Sequence, residues 1–513
     1  MRVLLVYSNQ SREVAPAPPV GVSYVASATR DAGHEVRLLD LAFSRNLLRD
    51  LADALRAFAP DVVGLSIRNL DNVVLQRFES PRQELLAQIE VVRKTAVGRD
   101  GQPVPLVLGG PAVSILGERT LGFFGADYAV TGEGEEAFPQ LVSALERNTP
   151  LDHIAGLCWR EDGVVRRNPD RRLARFRHSG MEDWVAWGPY QSKGATWSIQ
   201  TKRGCPMACS YCPYPLIEGH RNRLREPADV ADEIECVLDA MRNRRQPCPR
   251  TFEFVDSTFN IPSSHAIAIC EEIIRRKIKA CFTTMGFNPL DVPAELLPLM
   301  KRAGFNSVMV TPESACDTML GNYAKGFTTA DIEVAYQRIA ASGLASMWFF
   351  MLGGPGETMD SCAETIRFAR DRLAGRNFLS VFFTGVRVLP GTPLARLAVA
   401  EGYLQADTDL AGTVFYVSPD IDEQQVIGLL NAAIKRNPGI VHAAEGGITY
   451  PERVLNRVLH TLGVAPPYWR FLPAMLAFPP LHSLRCQGLG LRIRARGSRH
   501  RGRPGHPTTS ALD

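Results

Sequence analysis

Residues 203–212 read RGCPMACSYC, and their three cysteines, Cys205, Cys209 and Cys212, carry more information than any other part of the chain. The C-x3-C-x2-C spacing brings three thiolates close enough to hold three corners of a 4Fe–4S cube. No fourth cysteine follows nearby, so the spacing predicts one iron open to a further ligand, a place for chemistry rather than electron relay alone. Two plainer readings compete. A structural zinc site needs a fourth ligand and usually paired C-x2-C units, and His220 is too loosely placed to complete one. The other is a chance grouping among eleven cysteines.

Outward from this loop, the periodicity supports the cluster. From Trp197 onward, short apolar strands alternate with helical stretches: Trp197–Gln200, Phe252–Val255, Ala280–Thr284, Ser307–Val310, Met347–Met351 and Val381–Val388. Six such units are too few for a closed eightfold barrel and predict a partial (β/α)6 barrel over residues 197–400. Chemistry in such barrels lies in the loops after the strands, and the cysteine loop directly follows the first one.

Residues 1–150 predict a separate α/β domain, with strands at Val3–Tyr7, Glu35–Leu39, Asp61–Ser66, Val104–Leu108 and Asp127–Val130. Helices are expected near 21–32, 46–58, 81–97, 115–123 and 133–146. Continuous apolar strands joined by crossover helices specify a doubly wound, Rossmann-like parallel sheet. Its ligands belong over the carboxyl ends of the strands, at the switch in strand order. The loops in that position are Ser8–Val20, Arg68–Ser80, GGPAVS at 109–114 and TGEGEE at 131–136.

Residues 151–196 read as a linker with a hairpin at Asp162–Gly163 and the aromatic residues Trp184, Trp187 and Tyr190. Residues 401–484 read as mainly helical, and residues 485–513 as a basic, disordered tail beginning at Arg485. Contact of that tail with an anionic membrane surface is the rarer alternative to a solvated one.

The composition is that of an ordinary globular protein of two or three domains: 513 residues, 45% apolar, 22% charged, net charge +4. That charge selects no partner, and no nucleic acid is expected. The opening MRVLLVYS turns polar too soon for an export segment, and no apolar run is long enough to span a bilayer. Free thiols and an iron–sulfur cluster suit a reducing cytoplasm. Cysteines outside the triad form no C-x2-C pair and read as small core residues.

With the cysteine loop at the head of a partial barrel, the chain resembles the radical S-adenosylmethionine (SAM) enzymes. FEFVDSTFN at 252–260, TPESA at 311–315, FFMLGGPGET at 349–358 and VRVLPGTPL at 386–394 match that pattern in order. The resemblance implies that the open iron chelates the amino and carboxylate groups of S-adenosylmethionine. An electron from the cluster then breaks its sulfur–carbon bond, yielding a 5′-deoxyadenosyl radical that abstracts hydrogen from an unactivated carbon. It also implies a cofactor pocket bordered by Tyr211, Asp256, Glu313 and Arg387, with Gly353, Gly354 and Gly356 letting backbone approach the adenine or methionine portion. A plain strand-to-helix turn, with Glu357 at the helix start, is the other reading of those glycines. An external electron donor such as flavodoxin or ferredoxin is implied as well.

The N-terminal sheet resembles the cobalamin-binding domain that precedes the barrel in one subgroup of these enzymes. The matching stretches are PPVGVSYVASATRDAGHEVRLLD at 18–40, PDVVGLSIRNLDN at 60–72, LVLGGPAVS at 106–114 and ADYAVTGEGEEAF at 126–138. Domains that ligate cobalt through histidine carry D-x-H-x-x-G after the first strand, whereas Ser8–Val20 holds no histidine. His34 precedes the second strand, at the opposite end of the sheet, so cobalamin is expected without a histidine on cobalt. The resemblance places Pro19, Gly21, Arg68, Asn69, Asp71, Asn72, Gly109, Gly110, Gly132, Glu133 and Gly134 around it. Arg68 faces the lower side of the corrin in this reading, or else pairs with Asp71.

The function so implied is methyl transfer from methylcobalamin to an unactivated carbon or phosphinate of a small-molecule, natural-product or lipid substrate, by a monomer. Cyclisation or rearrangement with the same cofactors is the alternative. A methylthiotransferase would need three further cysteines in the N-terminal domain, and the first cysteine is Cys158. A cobalamin carrier would leave the cysteine triad without purpose.

Overall fold

The computed structural model describes residues 1–9, 15–98, 101–445 and 450–492. In the N-terminal sheet, β1 (Arg2–Tyr7), β2 (Glu35–Asp40), β3 (Val62–Ser66), β4 (Leu106–Gly109) and β5 (Tyr128–Val130) are parallel, in the order β2-β1-β3-β4-β5. The strands are nearly continuous apolar runs because helices cover both faces. Leu4, Val6, Val63, Leu65, Leu106 and Leu108 pack on one side, and Val3, Leu5, Val62 and Val107 on the other. The order reverses about β1, which puts the ligand crevice between the carboxyl ends of β1 and β3. There Ser8 Oγ donates to the Ser66 carbonyl at 3.0 Å, tying the two strand ends together.

The hairpin expected in a linker belongs to this sheet. β6 (Leu157–Glu161) pairs antiparallel with β5, and β7 (Val164–Arg167) with β6, so the sheet has seven strands. Asp162 and Gly163 both have positive φ, 50° and 78°, the turn geometry that matches strand twist in a tight hairpin. The true joint is the aromatic segment after it. Trp187 and Tyr190 are buried against Trp197, and the Tyr190 hydroxyl donates to Asp40 at 2.8 Å.

The barrel begins with β8 (Trp197–Ile199). A short antiparallel pair, β9 (Lys202–Arg203) and β10 (Arg223–Leu224), then brackets the cysteine loop. β11 (Thr251–Phe254), β12 (Cys281–Thr284), β13 (Ser307–Glu313), β14 (Ala345–Leu352) and β15 (Phe378–Thr384) continue the parallel series. Bridges Phe282–Phe305 and Phe287–Val310 join β12 to β13, so the six strands form one curved wall.

Beyond them, β16 (Val386–Arg387) pairs with β17 (Phe415–Tyr416). A seventh parallel strand, β18 (Ile440–His442), adds to β15 from a region expected to be helical. The helix Glu423–Arg436 buries Val426, Leu430, Ala433 and Ile434 in the same core as the barrel helices. The turn at Tyr468–Phe471 places Trp469 against Met309, Ala345 and Leu379 as the barrel floor. The Pro466 carbonyl, which accepts from Thr251 Oγ1 at 2.6 Å and Asn306 Nδ2 at 3.0 Å, anchors that turn. The described part of residues 401–484 is mainly helical, as expected, and packs against the barrel through these segments.

The basic tail starts later than the sequence suggests. Arg485 lies in the helix Pro479–Arg492 and forms an ion pair with Glu445 at 2.9 Å while donating to the Ile440 carbonyl. Residues 493–513 lie outside the described residues. No helix among the described residues is long and apolar enough to cross a membrane.

Candidate active site

The cysteine loop is held rigid from both sides. Gly204 has φ +91°, and a Cβ there would meet the Arg221 carbonyl at 2.1 Å, so only glycine fits ahead of the first thiol. Cys205 N donates to the Gly219 carbonyl at 3.0 Å, Ser210 N to that of Tyr323 at 2.9 Å, and Leu394 N to that of Ser210 at 2.8 Å. The loop is thus pinned to the segments following β13 and β16. All three cysteines are free thiols, Cys205 buried and the other two half-buried. Among the described residues no three ligating side chains converge on one point as a single-ion site requires. In a 4Fe–4S cube Cys205, Cys209 and Cys212 would each hold one iron.

A cation that spacing alone did not reveal completes the loop. Lys325 is buried, ion-paired with Glu313, and donates to the Tyr211 hydroxyl at 3.3 Å. Burial pushes all three thiols up, Cys212 to about 12, while the Lys325 ammonium pulls each back toward the thiolate. Glu313 sits at φ +63°, an uncommon backbone conformation for glutamate, where the β13–β14 register shifts. Tyr211 stands edge-on to Tyr323, with ring centroids 5.6 Å apart. Tyr211 and Glu313 therefore border the thiols.

Asp256, Gly353, Gly354, Gly356 and Arg387 each make contacts within the protein. Asp256 accepts from Thr201 N at 2.8 Å, Thr201 Oγ1 at 2.6 Å and Lys202 N at 3.2 Å, which fixes the chain entering the cysteine loop. A Cβ on Gly354 would lie 2.2 Å from the Tyr323 hydroxyl, so the tyrosine already covers that glycine. The Glu357 carboxylate accepts from Gly353 N at 2.8 Å and Gly354 N at 3.2 Å, and Asn322 crowds Gly356. Arg387 uses all five N–H groups on protein: Nε to Asp71 at 2.8 Å, Nη1 to the carbonyls of Val388 and Val414, and Nη2 to those of Leu410 and Gly412.

That Asp71–Arg387 pair, with side chains 3% and 4% exposed, joins the N-terminal domain to the barrel. Asp71 Oδ1 also accepts from Val73 N at 3.0 Å, which holds the carboxylate in place. Asn72 braces its own loop, donating to the Arg77 carbonyl at 2.7 Å and accepting from Val74 N and Glu79 N. Glu133 is bound by Arg203 and Arg223, which flank the cysteine loop, and by Leu173 N. Gly110 and Gly132 abut the Ile67 carbonyl and Arg172, Gly134 abuts Val25, and buried Pro19 supplies the carbonyl that starts its helix.

A Cβ on Gly21 would meet nothing within 4 Å, and one on Gly109 only the Val130 carbonyl at 4.0 Å. Arg68 and Asn69 are exposed, and Arg68 has no carboxylate in ion-pair contact among the described residues. The Arg68 charge is felt by Tyr7, by Tyr214 and by Glu253, hence by sheet, cysteine loop and barrel alike. The helices Pro111–Leu116 and Tyr214–Glu218 touch, so the carboxyl ends of the two sheets face one gap. His34 lies at the far end, 3.1 Å from Ser143 Oγ.

Residues 14–142 match the family model of the B12 binding domain, and residues 199–369 that of the radical SAM superfamily. The chain is a B12-binding radical SAM enzyme. The enzyme is similar to an uncharacterized methyltransferase of Pyrococcus horikoshii, 27% identical across 79% of this chain and 84% of that protein. It is also similar to tryptophan 2-C-methyltransferase of Streptomyces laurentii, 26% identical across 77% and 74%. Its fold is that of the radical S-adenosylmethionine methyltransferase TsrM from Kitasatospora setae, solved with tryptophan and a SAM analogue bound. The TM-score is 0.77 at 22% identity, over 95% of this chain and 98% of that one. A recess of about 570 Å3 between Met1, Arg2, Gly33, Glu35, Asp61 and Glu146 opens at the amino end of the first sheet, away from this enzyme's gap.

Proposed function

We propose that this enzyme is a cobalamin-dependent methyltransferase that alkylates an unactivated carbon, or a phosphinate, of a small molecule or lipid. The observation that carries the reading is the contact of the helices Pro111–Leu116 and Tyr214–Glu218, which brings the thiol loop to the carboxyl ends of the N-terminal sheet. The methyltransferases among its relatives support it. When bound, the cluster supplies the electron that opens S-adenosylmethionine, and cobalamin supplies the methyl group that is passed on.

The chain's own residues do the rest. Cys205, Cys209 and Cys212 would hold the cluster, with the buried Lys325 ammonium offsetting its negative charge. Gly21 and Gly109 would admit the corrin, with Arg68 and Asn69 against it. The Asp71–Arg387 and Glu133–Arg203 pairs hold the two domains together and keep bulk water from the gap.

The decisive measurement is stoichiometric. Turnover with the true substrate is expected to give S-adenosylhomocysteine and 5′-deoxyadenosine in about equal amounts, since each methylation consumes one cofactor molecule for each purpose. With labelled S-adenosylmethionine the product gains one labelled methyl group. Deoxyadenosine without S-adenosylhomocysteine, and a product of unchanged carbon count, would establish cyclisation or rearrangement instead.

The lower face of cobalt has its own test. Residues 8–20 contain no histidine, so paramagnetic resonance of the cob(II)alamin-loaded protein is expected to lack nitrogen superhyperfine splitting. A resolved nitrogen triplet would refute ligand-free binding.

A further inference from the structure

The barrel strands are wetter on the inside than on the outside. Phe252, Phe254, Trp348 and Phe382 point into the helix layer and are fully buried. Their neighbours on the other face, Glu253, Met347, Phe349, Met351, Val381 and Phe383, are all partly exposed. In a filled barrel the inward side chains form the packed core. Here the inward side chains above the Trp469 floor keep part of their surface accessible, so the lumen is open, and Arg68 lies within electrostatic reach of Glu253.

The lumen has two unlike walls. Strands β13 to β15 line it with Met347, Phe349, Val381 and Phe383, an apolar surface of ring size. Strands β8, β11 and β12 line it with small polar groups around one acid, because Glu253 stands in register between Ser198 and Thr283. One carboxylate oxygen of Glu253 accepts from Thr196 Oγ1 at 2.6 Å, and the other takes no donor among the described residues. The second lumen-facing acid, Glu313, is already neutralised by Lys325. A partly buried carboxylate with one oxygen unengaged can accept a charge-assisted hydrogen bond from a cationic donor.

We propose that Glu253 anchors the substrate, and that the substrate is a small molecule with an apolar body and a protonated amine. The inference rests on the methyl-transfer reading of the same gap and adds its substrate class. The body would lie on Phe349 and Val381 while the ammonium meets Glu253, which fixes the carbon presented to the gap.

Calorimetric titration of the cluster- and cobalamin-loaded full chain tests this, using phenethylamine and tryptamine against 3-phenylpropionate and indole-3-propionate. The amines are expected to bind at least about tenfold more tightly than the matched acids. Glu253→Gln, shown folded by circular dichroism, should erase that difference, and Glu253→Asp should retain part of it. Equal affinities, a preference surviving in Glu253→Gln, or binding of neither class overturns the proposal. Production of S-adenosylhomocysteine together with methylated product is assayed separately. A chain that methylates yet shows no amine preference overturns this inference alone, whereas amine preference without methyl transfer overturns only the methyl-transfer reading.

Discussion

Replacing Cys205, Cys209 and Cys212 together by Ala is expected to remove all of the roughly four iron atoms per chain that reconstitution introduces, and all cleavage of S-adenosylmethionine. The effect is total because the remaining cysteines are scattered through the fold, with Cys158, Cys270 and Cys362 buried in separate places. The fold itself should survive. The loop is held by backbone hydrogen bonds from Cys205, Ser210 and Leu394, which alanine retains at the cysteine position, so circular dichroism should be unchanged. Iron analysis and deoxyadenosine formation are the readouts. Full iron content in the triple variant would refute the assignment.

The second large effect is expected from Arg387→Met. Asp71 would remain buried without its cation, and the carbonyls of Val388, Val414, Leu410 and Gly412 would each lose a donor. Removing one member of a buried ion pair costs about 3–5 kcal/mol, because the charge left behind has no compensation. The loss should appear as a lower urea midpoint for the transition that separates the domains, and as faster proteolysis in the loop 68–80. One global free energy does not describe a chain of this design. Adding Asp71→Leu to Arg387→Met should recover much of the loss, since the pair's cost lies in the uncompensated charge. A midpoint unmoved by Arg387→Met would show that the clasp does not hold the domains.

The sequence made legible what short-range pattern controls. Strands such as RVLLVY at 2–7 and SMWFF within β14 announce themselves by apolar runs at regular spacing, and the cysteine triad by its own spacing. Partnership across the chain is not written in spacing. Arg387 and Asp71 each sit in a motif that suggests a cofactor contact, yet 316 positions apart they satisfy one another. The contacts of Asp256 with Thr201, and of the 353–356 turn with Glu357 and Tyr323, are likewise invisible in spacing. Lys325 emerges only when β13 and the following helices fold it against Tyr211, because a lone lysine in YAKGF carries no local signal. The three-residue strand β18 is too short to show a period at all.

That late strand bears on how the molecule is made. The wall from β8 to β15 is complete once residue 384 has been synthesised, but the edge of β15 stays unpaired until Ile440–His442 arrives. A growing chain therefore leaves the ribosome for several seconds, at ordinary rates of elongation, as an unfinished trough. Throughout that interval the cysteine loop is exposed to whatever the cell offers, oxidant or iron–sulfur scaffold. The same geometry sets a limit for anyone shortening the gene. A stop placed at residue 400, where the strand–helix repeat ends by eye, would strand a sticky β-edge and remove the Trp469 floor, leaving an aggregating fragment in place of a minimal catalytic domain.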